Sequence, residues 1–232
     1  MSLSKIVQNL IENDLALQDA LKRGYGNYSA IARLLKPKVE EILGRKVKLE
    51  GLITSVKRAR LSYEPRLDYL KVVADSIINL RTDVAKLSLE KTKRTLETAR
   101  KTLASYPEAF LQVLEGATTL TLIVDQRIFD EIRSAFKRAD VLDEKQNLAA
   151  LIVQSPREIV DTPGCIVALY VPISRNRINI EETVSCFTET IIVLKMEDAG
   201  KAFTLLTDLI TNTRKMISET VSHGGEVHTR PE

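Results

Sequence analysis

Residues 161–198 read DTPGCIVALYVPISRNRINIEETVSCFTETIIVLKMED, and the order of signals within them decides the fold. Asp161-Thr162-Pro163-Gly164 is a turn: Asp bonds its own backbone, Pro sets φ, and Gly lets other atoms approach closely. A short helix follows, with Cys165, Ile166, Ala168 and Leu169 on its inner face. It is expected to stop at Pro172, which has no N–H to donate. The chain turns polar at Ser174-Arg175-Asn176-Arg177, enters a strand at Ile178-Asn179-Ile180 that runs to Phe187, and turns at Thr188-Glu189. Thr190 to Lys195 is β-branched and apolar, a buried strand hairpinned onto the one before it. Asp198 caps a second helix, in which Ala199, Ala202, Phe203, Leu206, Leu209 and Ile210 recur at helical spacing.

Outward from this run, Leu148 to Val153 supplies an apolar strand in front of it. The order is then β-α-β-β-α, most of a split βαβ, or ferredoxin-like, unit. The middle of the chain repeats that order. Ile77 to Leu89 reads as a strand or pair of strands, and Thr92 to Ala104 as a helix. Phe110 to Leu114 and Thr119 to Val124 are strands across Glu115-Gly116, and Ile128 to Phe136 is a helix. Neither copy shows its last strand; either the two exchange strands, or Leu148 to Val153 belongs to the first copy. The expected class is α+β: a helical domain over 1–62, a connecting helix over 63–75, a degenerate unit over 76–140, a second unit over 147–222, and a disordered tail over 223–232.

The second unit resembles an ACT regulatory domain of the type found at the end of aspartate kinases. Thr162-Pro163-Gly164 opening the first helix, Asn179-Ile180 opening the second strand, the hairpin from Cys186 to Val193, and Asp198 with Ala202 opening the second helix carry the resemblance, over about fifty residues. Such domains bind a free amino acid where two of them meet, through the loop after strand one and the start of strand two. The resemblance therefore implicates Asp161, Gly164, Cys165, Ile178 and Asn179 in ligand binding. A helix N-terminus after Gly offers free N–H groups to a carboxylate, while Asp161 or the Asn179 side chain would meet the ammonium. Replacing Gly164 with a β-branched residue is expected to abolish the effector response and leave folding largely intact.

Net charge is +3, but residues 1–66 carry 13 Lys/Arg against 7 Asp/Glu, so the basic charge sits at the N-terminal end. Ser4 to Lys22 reads as one amphipathic helix, ended by Gly24-Tyr25-Gly26. A second helix holds Ile31, Ala32, Leu34 and Leu35 and is expected to break or restart at Lys36-Pro37, with Val39, Ile42 and Leu43 continuing to Gly44. In a last helix Leu49, Leu52, Ile53 and Val56 fall at i, i+3, i+4 and i+7. Short helices in this order, the last with a basic face, resemble a helix-turn-helix or winged-helix DNA-binding domain. The resemblance implies that Lys48, Thr54, Ser55, Lys57, Arg58 and Arg60 contact double-stranded DNA.

A chain of 232 residues with 44% apolar and 28% charged composition is expected to be a soluble, cytoplasmic protein. There is no run of about 18 apolar residues, so no membrane partner is expected. Cys165 and Cys186 read as free thiols among apolar neighbours. His223 and His228 alone give no metal site, and no phosphate-cradling loop or catalytic triad order is present, so no cofactor and no enzymatic activity are expected. The main reading is an amino-acid-responsive DNA-binding regulator that forms a homodimer or higher oligomer, its effector response passing through Leu61 to Asp75. The alternative is a stand-alone ACT subunit that binds and regulates an amino-acid-biosynthetic enzyme. A scaffold without a ligand is the third.

Overall fold

The first expected helix is two helices in the computed structural model, which describes residues 2–22, 24–62 and 68–223. α1 (Leu3–Glu12) ends at Asn13, and α2 (Leu15–Lys22) starts afresh because the Asp14 carboxylate accepts the N–H groups of Ala16 and Leu17. α3 (Tyr28–Leu43) is capped by Asn27 and runs through Pro37 without the expected break. Pro37 lies on the exposed side, where water can serve the carbonyl that loses its donor. Gly44, at φ +65°, ends α3, and α4 (Leu49–Ser62) follows. Val7, Ala32, Val39, Leu52 and Val56 are fully buried at the centre of this unit, which spans residues 1–66.

The second unit, residues 67–232, carries α5 (Asp68–Ala74), β1 (Ile77–Glu90), α6 (Lys93–Ser105), β2 (Leu111–Glu115), β3 (Thr119–Asp125), α7 (Phe129–Ser134), β4 (Val141–Gln154), α8 (Cys165–Arg175), β5 (Glu182–Cys186), β6 (Glu189–Lys195) and α9 (Met196–His223). Its six strands form one antiparallel sheet in the order β2-β3-β1-β4-β6-β5. The tail residues 224–232 and the connecting residues 63–67 lie outside the described residues.

The missing last strands are found in this order. The second half of β1 pairs with β3 on one side and with the first half of β4 on the other, which completes β1-α6-β2-β3-α7-β4 as a ferredoxin-like unit. The second half of β4 pairs with β6 and with the first half of β1, from Ile77↔Gln154 to Arg81↔Ala150. So β4 ends the first unit and begins the second, while β1 begins the first and closes the second. The units are interlocked rather than tandem, and the expected boundary at 140–147 falls inside β4. Residues 143–147 are polar and exposed, so nothing in their pattern announces a strand; pairing with β1 makes them one.

Each long strand is bulged at its middle. Residues 82 and 83 lie together opposite Ala149, and residues 146 and 147 opposite Ala85. The bulge residues Asp83 and Asn147 have left-handed φ of +56° and +57° and stand 64 positions apart. The burial pattern after each bulge is the same, so the two units are related by an approximate two-fold between Val84 and Leu148.

Ala85, Leu87 and Leu89 of β1 face α6 and α7, and Ala149, Leu151 and Val153 of β4 face α8 and α9. The cross-strand register puts both sets on one side of the sheet, so these four helices form a single layer. Val84, Ile123, Leu148, Ala150, Ile191 and Val193 line the other side, still buried, with Phe110, Leu114 and Val184 of the edge regions packed against them. The sheet curls over this side far enough for the Lys86 ammonium on β1 to reach the carbonyl of Glu181, just before β5 and three strands away. α8 continues through Pro172 to Arg175, against expectation. The Asn176 side chain donates to the Pro172 carbonyl at its end.

Candidate functional site

The residues implicated in ligand binding divide into two groups. Gly164 is the N-cap of α8, whereas Ile178 follows its C-terminal end and donates its N–H to the Ile173 carbonyl. Eleven helical residues set these ends about 16 Å apart. Within one chain the structure therefore does not bring Asp161, Gly164 and Cys165 together with Ile178 and Asn179.

At the first end, Gly164 has φ +97° and α8 has no side-chain cap, so the N–H groups of its first turn have no acceptor within the helix. The ring of Tyr69 on α5 stands over this turn, 3.7 Å from where a Gly164 β-carbon would be. Asp161 is exposed, and its N–H is bonded to the Glu158 carbonyl. Cys165 is buried, and burial pushes its thiol above the usual range. At the second end, Ile178 belongs to the core beneath α8 and α9, and Asn179 is exposed, its amide donating to the Glu181 carboxylate at 3.2 Å.

Asn179 belongs to a polar cluster on the curled side of the sheet. The Glu181 carboxylate, 5% exposed, accepts from the Lys145 ammonium at 2.5 Å. That bond holds Glu181 below the usual carboxylate range and raises Lys145. Lys86 lies directly opposite Lys145 in the register; its side chain is 9% exposed and its ammonium is 3.3 Å from the Glu181 carbonyl and 3.4 Å from the Asp143 carboxylate. Lys86, Lys145, Asp143 and Glu181 are absent from the sequence expectations. Their one signal is Lys86 itself, a charge at a buried position between Ala85 and Leu87.

The corresponding place in the first unit is built differently. The buried Asp125 carboxylate accepts from the Arg127 backbone N–H, from Nε and Nη2 of Arg127, and from Nη2 of Arg81. These bonds hold it well below the usual carboxylate range, the Arg127 side chain contributing most. The Arg81 guanidinium also stacks 4.7 Å over the Phe110 ring.

In the N-terminal unit the expected nucleic-acid face is only partly formed. Ser55 is buried and bonded to the Gly51 carbonyl and to Ser4, because it falls on the α1-facing side of α4, so it does not reach outward as expected. Lys48, Thr54, Lys57 and Arg58 are exposed; Thr54 donates to the Glu50 carbonyl, and Lys57 lies 5.8 Å over the Tyr28 ring. The Arg60 side chain lies outside the described residues. A depression of about 240 Å³ beside α1 is lined by Ile6, Asn9, Leu10, Asn13 and Ile42, with no charged group converging on it. Among the described residues no three His, Cys, Asp or Glu side chains are grouped to hold a metal ion, and no helix is long and apolar enough to cross a membrane.

The arrangement of two interlocked units under one layer of helices is shared with a solved structure. Aspartate kinase from Synechocystis aligns with a TM-score of 0.50 at 12% identity, over 60% of this chain and 27% of that one. The regulatory subunits of aspartate kinase from Thermus flavus and Thermus thermophilus align with TM-scores of 0.49 and 0.47, both at 14% identity, each over 57% of this chain and 95% of the subunit. Likenesses at this identity concern the fold alone. No family model matches the chain, and no curated protein matches it.

Proposed function

We propose that the chain is a non-catalytic regulatory protein whose paired ACT-type units bind a small effector of the amino-acid class and pass its occupancy to a partner enzyme of amino-acid metabolism. The observation that carries this reading is the sharing of β1 and β4. Because each long strand is built into both units, a shift at one unit is transmitted to the other through covalent backbone rather than through a separable interface. α5, which leads into β1, packs on α8 and α9, and Arg214 of α9 donates to the Ala74 and Ser76 carbonyls at its end. Self-association belongs to the reading, since the outer edges of β2 and β5 carry no strand among the described residues. Light scattering measures it.

A thermal-shift panel of the common L-amino acids tests the effector. One of them at 100 times its Kd should stabilise the protein by about 2.7 kcal/mol. A flat panel refutes the proposal. Stoichiometric recovery of a biosynthetic enzyme with the chain from native lysate identifies the partner.

DNA binding is the second reading, favoured by the exposed Lys48, Lys57 and Arg58 and weakened by the burial of Ser55. Anisotropy against mixed-sequence duplex DNA at two salt concentrations decides it. Binding that falls steeply with salt, and is lost when Lys57 and Arg58 are changed to Glu, supports this reading.

A further inference from the structure

The cluster around Lys86 has the composition of a receptor. A lysine ammonium offers three N–H donors, and charge-assisted bonds to oxygen run at about 2.7–2.9 Å. Lys86 has acceptors only at 3.3 Å and 3.4 Å, and its third N–H meets no protein acceptor among the described residues. Its side chain is nine-tenths buried, so bulk water does not make up the difference. A buried charge this loosely held costs stability, since desolvation is repaid only by close, well-aligned partners.

The neighbours complete a pattern. Lys145 stands opposite Lys86, and Asp143 and Glu181 bring two carboxylates to the two ammoniums, with the Asn179 amide at the margin. The set is neutral overall, with both signs present. One side faces solvent: the Lys145 and Asp143 side chains are 42% and 46% exposed, while those of Lys86 and Glu181 are 9% and 5% exposed. The approximate two-fold shows that the set is not required by the fold. The counterpart of Lys86 in the second unit is Ala150, and that of Lys145 is Arg81, which bonds Asp125 through Nη2 and stacks on Phe110.

We propose that Lys86, Lys145, Asp143, Asn179 and Glu181 form the binding site for a small α-amino carboxylate. The ligand carboxylate takes the unfilled N–H of Lys86 together with the Asn179 amide, and the ligand ammonium lies between Asp143 and Glu181. Both long strands contribute, β1 through Lys86 and β4 through Asp143 and Lys145, so the ligand pins the two units at their shared strands. This inference rests on the effector reading above and moves the site from the start of α8 to the curled side of the sheet.

Isothermal titration of the full chain with each common L-amino acid, repeated on Lys86→Met and Asp143→Asn, tests it. The expected result is one or a few amino acids binding the wild type, binding weakened roughly ten- to a hundredfold in Lys86→Met, and a smaller loss in Asp143→Asn. Asp143 is half-exposed, so its variant carries the test if Lys86→Met does not fold. An amino acid that binds the wild type and both variants equally overturns this site and leaves the effector reading standing. No binding to the wild type overturns both.

Discussion

Asp125 shows what a single carboxylate does in this sheet. It ties the end of β3 to Arg127 and, across a strand, to Arg81 beside the first bulge. Asp125→Asn removes the charge from bonds that typically contribute about 1.5–3 kcal/mol when ionic, and it weakens the acceptor of Arg81, whose buried Nε already has no hydrogen-bond partner. Urea unfolding at neutral pH should show a loss of about 2 kcal/mol. The folded state holds this carboxyl below its ordinary value of 3.8, so its stabilisation is complete above that pH and fades as pH falls through and below it. The gap between wild type and variant should therefore narrow in acid, and a gap independent of pH would mean that the charge is not responsible. Gly164 makes a different point. At φ +97°, a conformation that L side chains rarely adopt, Gly164→Val should cost about 1–3 kcal/mol, contrary to the expectation that folding is largely spared. Thermal unfolding reads this directly.

Among the elements, the two bulges break the β1–β4 ladder at Asp83 and Asn147. Asn147 donates its N–H to the Gln126 side chain from a left-handed conformation that Gly adopts freely and β-branched residues resist. Asn147→Val should destabilise by about 1–2 kcal/mol and Asn147→Gly by little. If both behave alike in denaturant unfolding, the backbone conformation is not what the position is chosen for. Apolar periodicity made β3, β6, α8 and α9 legible from sequence, because each buries a regular set of side chains. It was silent on residues 141–147, which pairing with β1 and ion pairs from Asp143, Glu144 and Lys145 hold, and it misread both prolines, since Pro37 and Pro172 sit within helices whose packing outweighs one lost bond. Asn13-Asp14 hid in an amphipathic pattern that continues across the break. The site was less legible still. The resemblance grouped Gly164 with Asn179, whereas the length of α8 separates them within one chain, and Lys86 and Glu181 meet from positions 95 residues apart.

For the whole molecule, the shared strands make a sharp claim about where the chain divides. A fragment spanning 76–140 lacks the strand that closes its unit, and one spanning 147–222 lacks the first half of β1. Neither should give the cooperative unfolding or near-ultraviolet dichroism of a packed domain, while a fragment spanning 68–223 should give both. Independent folding of either short fragment would show that the interlock is dispensable.

The same interlock governs how the protein is made. The first half of β1 leaves the ribosome early, yet its partner, the second half of β4, emerges some 70 residues later, and β4 in turn is not flanked until β6 follows. At about 5–20 residues per second the nascent chain must carry an unpaired, half-apolar strand for several seconds. High contact order and an open strand edge make this the interval most exposed to misassembly, so chaperone dependence should be read on the nascent chain rather than on the finished protein.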